Sequence, residues 1–194
     1  MNLTEMRTRV REDLRDTDAA NYRWSNDEVD GAIDRVVREF SLAYPLQQQT
    51  DMATTDGSKE LDISSLEKLI KVLSVEFPLD QDPSYYQRFA LWADKLYITD
   101  KGNGDDARIR WGKLHTLDAA SSTIPEQLEE LIVLGATGYL AASASVYTVD
   151  RATISGRHAT ANFLEWGQQR LDHYQRQLKH ISSRVDQTTF YMED

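Results

Sequence analysis

The sequence predicts an α+β fold that is mainly α, a bundle of about four helices interrupted by a small antiparallel β-insertion. Three observations predict this fold. Near both ends of the chain, apolar residues recur every three or four positions, the spacing of one helix face. Between residues 46 and 117 this spacing gives way to short alternating runs bounded by turn-forming residues, which indicate strands. The links between these runs are too short for helical crossovers, so the strands are expected to be antiparallel.

Two helices are predicted before Pro45, each with a capping signal at its start. Asn2 with Glu5, and Ser25 with Glu28, have the spacing of capping boxes, in which each side chain bonds the other residue's backbone N–H. Pro45 is expected to end the second helix, because proline has no N–H and restricts the residue before it.

Four or five strands are predicted in the β-insertion. The run "YQRFALWADKLYIT" predicts a hairpin with its turn at Ala93 and Asp94. Asn103 and Gly104 indicate a second tight turn. The run "ARIRWGKL" is typical of a strand that buries alternate side chains.

Two further helices are predicted after the β-insertion. The third runs from about Pro125 to Val149, with Thr123 and Glu126 as its capping box. Its segment "GATGYLAASAS" is rich in small residues, which allow another helix to approach closely. The fourth helix starts near Ser155 and runs past Ile181 with a heptad-like apolar seam. The predicted organisation is a helical bundle of residues 1–45 plus 118–185, a β-rich insertion of residues 46–117 and an extended C-terminal tail of residues 186–194.

Composition limits the classes of function. The net charge is −10, so the surface as a whole repels nucleic-acid phosphates. The first helix carries four arginines, but acidic residues dilute them. There is no cysteine, which excludes disulfides and thiolate metal sites, and no apolar run approaches the roughly 20 residues that span a bilayer. The N-terminal segment lacks the apolar core of a signal peptide, so synthesis and use in a cytoplasm are expected.

Candidate chemical groups do not form a convincing site. His115 and Asp118 lie close in sequence, but a catalytic pair would also need a nucleophile or a positioned substrate proton. His173 and His180 lie two helical turns apart, about 10.5 Å, which is too far for one metal ion without further ligands. Gly135 and Gly138 fall inside a helical pattern instead of a phosphate-binding loop. No catalytic residue, metal site or cofactor is therefore predicted.

An aromatic set lies in and before the predicted hairpin. Its members are Tyr85, Tyr86, Phe89 and Trp92. At strand positions such a set usually fills a sheet core, and this is the interpretation adopted. Stacking on sugars or bases is the alternative.

Several strings resemble the head–tail connector adaptor proteins of tailed bacteriophages. Together they cover nearly the whole chain, and they are "NYRWSNDEVDGAIDRVVREFSLAYP", "LDISSL", "VEFPLDQDPSYYQRFALWADKLYI", "WGKLHTLDAASSTIP" and "FLEWGQQRLDHY". That family is similar in having a helical bundle interrupted by a small β-structure.

The resemblance implies a non-enzymatic structural subunit that forms a ring, usually of twelve copies. Such a ring joins the portal protein to tail, nozzle or stopper proteins and lets genomic DNA pass. The implied location is the neck of the virion, after assembly in the cytoplasm of a bacterial host, with no membrane involved. In this family the C-terminal segment commonly reaches the portal, so Phe190, Tyr191 and Met192 are the expected portal contacts.

Two alternatives remain open from the residues. One is a virion-associated hydrolase of cell-wall glycan that uses two of the 32 acidic residues. The other is a prophage regulator that binds nucleic acid through the arginines of the first helix, which are Arg7, Arg9, Arg11 and Arg15.

Overall fold

The computed structural model describes the backbone of residues 1–148 and 157–186 and the side chains of residues 1–144 and 163–182. The chain divides into two compact units. Unit 1 contains Met1–Tyr44 and His115–Arg184, and unit 2 contains Pro45–Leu114. None of the helices in these described ranges is long and apolar enough to cross a membrane.

Unit 1 is helical. Its helices are α1 (Leu3–Asp13), α2 (Asn26–Ala43), α3 (Glu129–Thr148) and α4 (Arg157–Asp186), and a short 3-10 turn (Glu126–Leu128) leads into α3. Both predicted N-terminal capping boxes are confirmed: Asn2 and Ser25 each accept from the backbone N–H three residues later, and Glu5 and Glu28 bond back. The apolar faces of the four helices share one core. Each helix contributes a large, fully buried side chain to it, which in the order α1 to α4 are Met6, Phe40, Ile132 and Tyr174.

Unit 2 contains two antiparallel sheets of three strands each. The strands are β1 (Leu46–Ala53), β2 (Glu60–Asp62), β3 (Leu69–Glu76), β4 (Phe89–Trp92), β5 (Lys95–Ile98) and β6 (Asp106–Lys113). Their orders are β1-β6-β3 and β2-β5-β4. The predicted hairpin is confirmed as β4 and β5, with Ala93 at a φ of 49° in the turn.

Both sheets of unit 2 contribute to one apolar core. Alternate residues of β6 point into it, as predicted: Ile109 and Trp111 are buried, whereas Arg108 and Arg110 lie on the other face. Leu96 and Ile98 of β5 are buried in the same cluster. Unit 2 thus buries a core of its own.

The expected mainly helical bundle with a small β-insertion is wrong. The chain is α+β, with four helices and two three-stranded antiparallel sheets in the described part. The described strands number six instead of four or five. β1 was missed because its sequence, "LQQQTDMA", is mostly polar, although alternate residues along it are half-buried.

The predicted capping box at the start of the third helix is also wrong. Pro125 precedes the 3-10 turn, and no side chain caps it. The Thr123 hydroxyl instead accepts from the Thr116 backbone N–H at 2.9 Å and lies 3.1 Å from Nδ1 of His115. Thr123 therefore holds the preceding loop together, and α3 starts at Glu129 after one tighter turn.

Candidate interaction surfaces

His115 is buried inside unit 1 and is bonded on both sides of its ring. Its Nδ1 lies 2.9 Å from the Thr123 carbonyl oxygen, and its Nε2 lies 3.0 Å from the Tyr44 carbonyl oxygen. The Phe40 ring packs against the imidazole, with centroids 5.1 Å apart. Burial lowers the pKa of His115, although both carbonyl partners oppose this effect. The ring therefore fixes the end of α2 to the loop before α3.

Asp118 belongs to a turn and is not a partner of the His115 ring. Its Oδ1 accepts from the backbone N–H groups of Ala120 and Ser121, both at 2.8 Å. These bonds lower the pKa of Asp118 and define an Asx-type turn. The structure thus does not bring together the candidate catalytic pair considered from the sequence.

His173 and His180 are both exposed on α4. Within the ranges whose side chains are described, no group of three or more histidines and carboxylates could hold a metal ion.

The small residues of α3 pack closely against the neighbouring helices. A Cβ added at Gly138 would lie 2.9 Å from Cγ of Leu171, and one added at Gly167 of α4 would lie 2.9 Å from the Ala142 backbone nitrogen. This confirms the predicted close helix approach and assigns Gly138 to packing instead of phosphate binding.

The arginines of the first helix do not form a free basic stripe. Arg7 makes a two-pronged pair with Asp30, and Arg9 makes one with Glu130. Arg11 is buried against Asp16 at 2.6 Å. These three cations are therefore already neutralised within the chain. Arg15, just after α1, is exposed and makes no ion pair in the described part of the chain.

In the aromatic set around the hairpin, Phe89 packs against the core of unit 2 as interpreted, but Tyr85 and Trp92 do not. Phe89 and Tyr86 are half-buried, but Tyr85 is 51% exposed and Trp92 is 76% exposed. Leu91 and Tyr97 of the same hairpin are also exposed. Trp92 and Tyr97 lie on the face opposite the buried Leu96, and these two residues are called the hairpin patch below. The residue types alone do not predict this exposure, because it depends on which face of the β2-β5-β4 sheet each side chain occupies.

A groove in unit 1 combines aromatic rings with arginines, and sequence reasoning missed it. It runs between the C-terminal end of α1 and the first half of α4 and is called the arginine groove below. Its lining includes the apolar residues Leu14, Phe163 and Trp166, the arginines Arg9, Arg15 and Arg170, and the carboxylates of Glu12 and Asp13. The Phe163 and Trp166 rings stack with centroids 5.5 Å apart. The Arg170 guanidinium lies over Trp166 at 4.7 Å and also pairs with Asp13.

Arg15 has an unusual backbone for an arginine. Its φ is 56°, the left-handed region that favours glycine. Its N–H donates to the Glu12 carbonyl, and the Asp16 N–H donates to the Arg11 carbonyl, which together form the Schellman arrangement that ends α1. Glycine usually occupies this position, since any Cβ costs about 1 kcal/mol or more there. The Arg15 side chain therefore lines the groove at a conformational cost to the backbone.

The candidate portal contacts Phe190, Tyr191 and Met192 lie outside the described residues. No family model matches the chain, and no curated protein matches it.

Proposed function

We propose that the chain is a structural head-to-tail adaptor subunit of a tailed phage virion. In this proposal its copies form a ring, with twelve copies expected, that joins the portal protein to tail proteins and lets genomic DNA pass. The proposal starts from the five segments that resemble connector adaptors. It is supported by the element order of two helices, a β-rich unit and two further helices.

The hairpin patch is the observation that carries the proposal. Trp92 is 76% exposed, and Tyr97 is also among the exposed large apolar side chains. Trp92 and Tyr97 share one face of the hairpin, because Tyr97 pairs with Ala90, two residues before Trp92. Exposed aromatic side chains on one face are typical of interaction sites, and Trp and Tyr are enriched among the residues that dominate binding. A protein that acts by docking to others explains this exposure.

The two candidate surfaces also suit a ring subunit. Neighbours in a ring contact one another through two different surfaces of each copy, and the contact closes after a fixed number of copies. The arginine groove belongs to unit 1 and the hairpin patch to unit 2, so each copy carries two dissimilar surfaces.

The overall charge is compatible with a DNA passage. Each copy carries a net charge of −10, and a ring multiplies this charge by the number of its copies. Phosphates are repelled by such a wall instead of being bound, so DNA would slide through without adhesion.

Binding to the portal protein encoded in the same genome tests the proposal. The full chain is passed over immobilised portal, and we expect saturable binding. The Trp92→Ser variant is expected to bind at least about tenfold more weakly, because a central aromatic anchor commonly contributes 2 kcal/mol or more. Leu42→Ser is the matched control, since Leu42 is 64% exposed but lies on α2 of the other unit. Absence of wild-type binding would contradict the proposal.

A further inference from the structure

We infer that the arginine groove binds the C-terminal segment of a second copy of this chain. The segment is "DQTTFYMED", residues 186–194. The inference deepens the proposed function, because it names one contact between neighbouring ring subunits. It rests on that proposal only for the closure of the ring.

The groove offers aromatic surface and cations at the same place. Phe163 and Trp166 stack with centroids 5.5 Å apart and form the aromatic wall of the groove. Trp24 is buried behind this wall, where it stacks on Phe163 with centroids 6.1 Å apart. Arg15 lines the groove, and the Arg23 guanidinium lies beside it, 5.5 Å from the Phe163 ring centroid. An occupant that matches this surface needs both aromatic rings and carboxylates.

One cation of the groove lining, Arg15, and one beside the groove, Arg23, are available to an occupant. Arg15 and Arg23 are both exposed, and neither has a carboxylate partner among the described side chains. In contrast, Arg9 is paired with Glu130 and Arg170 with Asp13. Arg15 also holds a backbone conformation that glycine would adopt at lower cost. That cost indicates that the arginine side chain serves a purpose other than ending α1.

The C-terminal segment has the complementary chemistry. It places Phe190 and Tyr191 next to the carboxylates Glu193 and Asp194, with Asp186 at its start. The segment carries no lysine or arginine. Its rings suit the aromatic wall, and its acidic groups suit the two unpaired arginines.

The length of the chain shows which copy can supply the segment. From Phe163 to the end of α4 at Asp186, the helix spans about 35 Å. The segment must turn back along α4, and even fully extended it carries Tyr191 only about 18 Å from Asp186 and Glu193 about 25 Å. Phe190 and Tyr191 of the same copy therefore fall short of Phe163 and Trp166, which lie about 30–35 Å from Asp186 along α4, and we assign the occupant to a second copy.

The contact has a direction, because one copy gives its segment and the next gives its groove. Such a heterologous contact repeats from copy to copy until it closes as a ring or continues as a filament. The same rings that the family resemblance assigns to the portal would here join neighbouring subunits.

A complementation experiment on full chains tests the inference. The groove variant combines Arg15→Gly with Arg23→Ala, and the tail variant combines Phe190→Ala with Tyr191→Ala. Both leave the buried core untouched, and Arg15→Gly suits the backbone at that position. Analytical ultracentrifugation of the wild type without portal is expected to show association beyond dimers. Each variant alone is expected to associate at least about tenfold more weakly.

An equimolar mixture of the two variants gives the sharpest result. The groove variant retains its tail and the tail variant retains its groove, so the mixture is expected to form one-to-one pairs and nothing larger. Arg38→Ala is the matched control, since Arg38 is an exposed arginine on α2. A mixture no heavier than its components, or variants that associate like the wild type, would overturn the inference.

A peptide-binding experiment tests this contact independently of the proposed function. Fluorescein-labelled peptide 186–194 is titrated with the tail variant, whose own segment is disabled, and a scrambled peptide is the control. Binding that falls at least about tenfold when Arg15→Gly and Arg23→Ala are added supports the inference. Peptide binding that is unchanged by these substitutions, or equal binding of the scrambled peptide, overturns the inference. In either case, portal binding by the wild-type chain is measured separately, and this measurement tests only the proposed function.

Discussion

Arg15 holds a backbone conformation that disfavours any side chain, yet its side chain lines the arginine groove. Its φ of 56° places Cβ close to the following carbonyl oxygen, which glycine avoids. The backbone bonds that end α1 do not involve the side chain, so they survive substitution. The arginine therefore weakens the fold slightly at a place where its guanidinium lines a groove.

Replacing Arg15 separates these two effects. Arg15→Gly and Arg15→Ala both remove the guanidinium, but only glycine relieves the strain. We expect the glycine variant to have a free energy of unfolding about 1 kcal/mol higher than the alanine variant. Urea denaturation of the two variants measures the difference. Equal stabilities would show that Arg15 is not strained.

His115 couples the stability of unit 1 to pH. Burial lowers its pKa in the folded chain, so the unfolded chain takes up a proton first as the pH falls below about 6.5. The contribution of His115 to stability is therefore complete above that pH and is lost as the pH falls toward the lowered folded pKa.

Substitution of His115 tests this coupling. We expect His115→Gln to cost about 1–3 kcal/mol near pH 7.5, because a buried carbonyl loses its partner. On acidification to about pH 5.5 the variant should lose less stability than the wild type does. Urea unfolding at the two pH values measures both effects. His173→Gln, at an exposed position on α4, is the control, and an identical pH response of His115→Gln and wild type would refute the coupling.

The helices of unit 1 depend on small residues as much as on large ones. Gly167 lets α4 approach α3 until an added Cβ would meet the Ala141 Cβ at 2.8 Å. Gly31 on α2 is different, since an added Cβ would meet nothing within 4 Å. The same substitution should therefore act in opposite directions at the two positions.

Alanine substitution compares these two glycines. We expect Gly167→Ala to destabilise the chain by about 1–3 kcal/mol, because it forces the helices apart. Gly31→Ala should stabilise it by up to about 1 kcal/mol, because alanine favours the helix. Thermal unfolding of both variants and the wild type measures the two stability changes. Similar effects at both positions would mean that the close helix contact is absent.

The elements that sequence reasoning predicted are those with local signals. The caps at Asn2 and Ser25 depend on residues three positions apart, and the hairpin turn at Ala93 depends on its immediate neighbours. The cap at Thr123 failed because the hydroxyl bonds a residue seven positions earlier, which no helix pattern reveals. β1 was missed because its partner, β6, lies more than fifty residues away in sequence and determines which of its residues are covered.

The candidate surfaces were harder to predict than the elements. The aromatic set was visible in the sequence, but whether Trp92 faces the core or the solvent depends on which face of its sheet packs on the core. The arginine groove joins residues on α1 and α4 that are about 150 positions apart. Only the folded chain brings them together.

At the scale of the whole molecule, surface and core tryptophans should have separate roles. Trp92 is 76% exposed and Trp24 is 2% exposed. We expect Trp92→Ser to change the free energy of unfolding by no more than about 0.5 kcal/mol, whereas Trp24→Ala should cost about 3–5 kcal/mol. Chemical denaturation measures both values. A large loss for Trp92→Ser would mean that the hairpin patch serves folding instead of docking.

The central claim is that the chain forms a ring on the portal. Electron microscopy of the purified chain mixed with its portal tests this claim most directly. We predict a ring of many copies, twelve being expected, seated on one end of the portal with an open channel through both. Portal particles that remain bare, or that carry the chain as scattered single copies without a ring, would contradict the account.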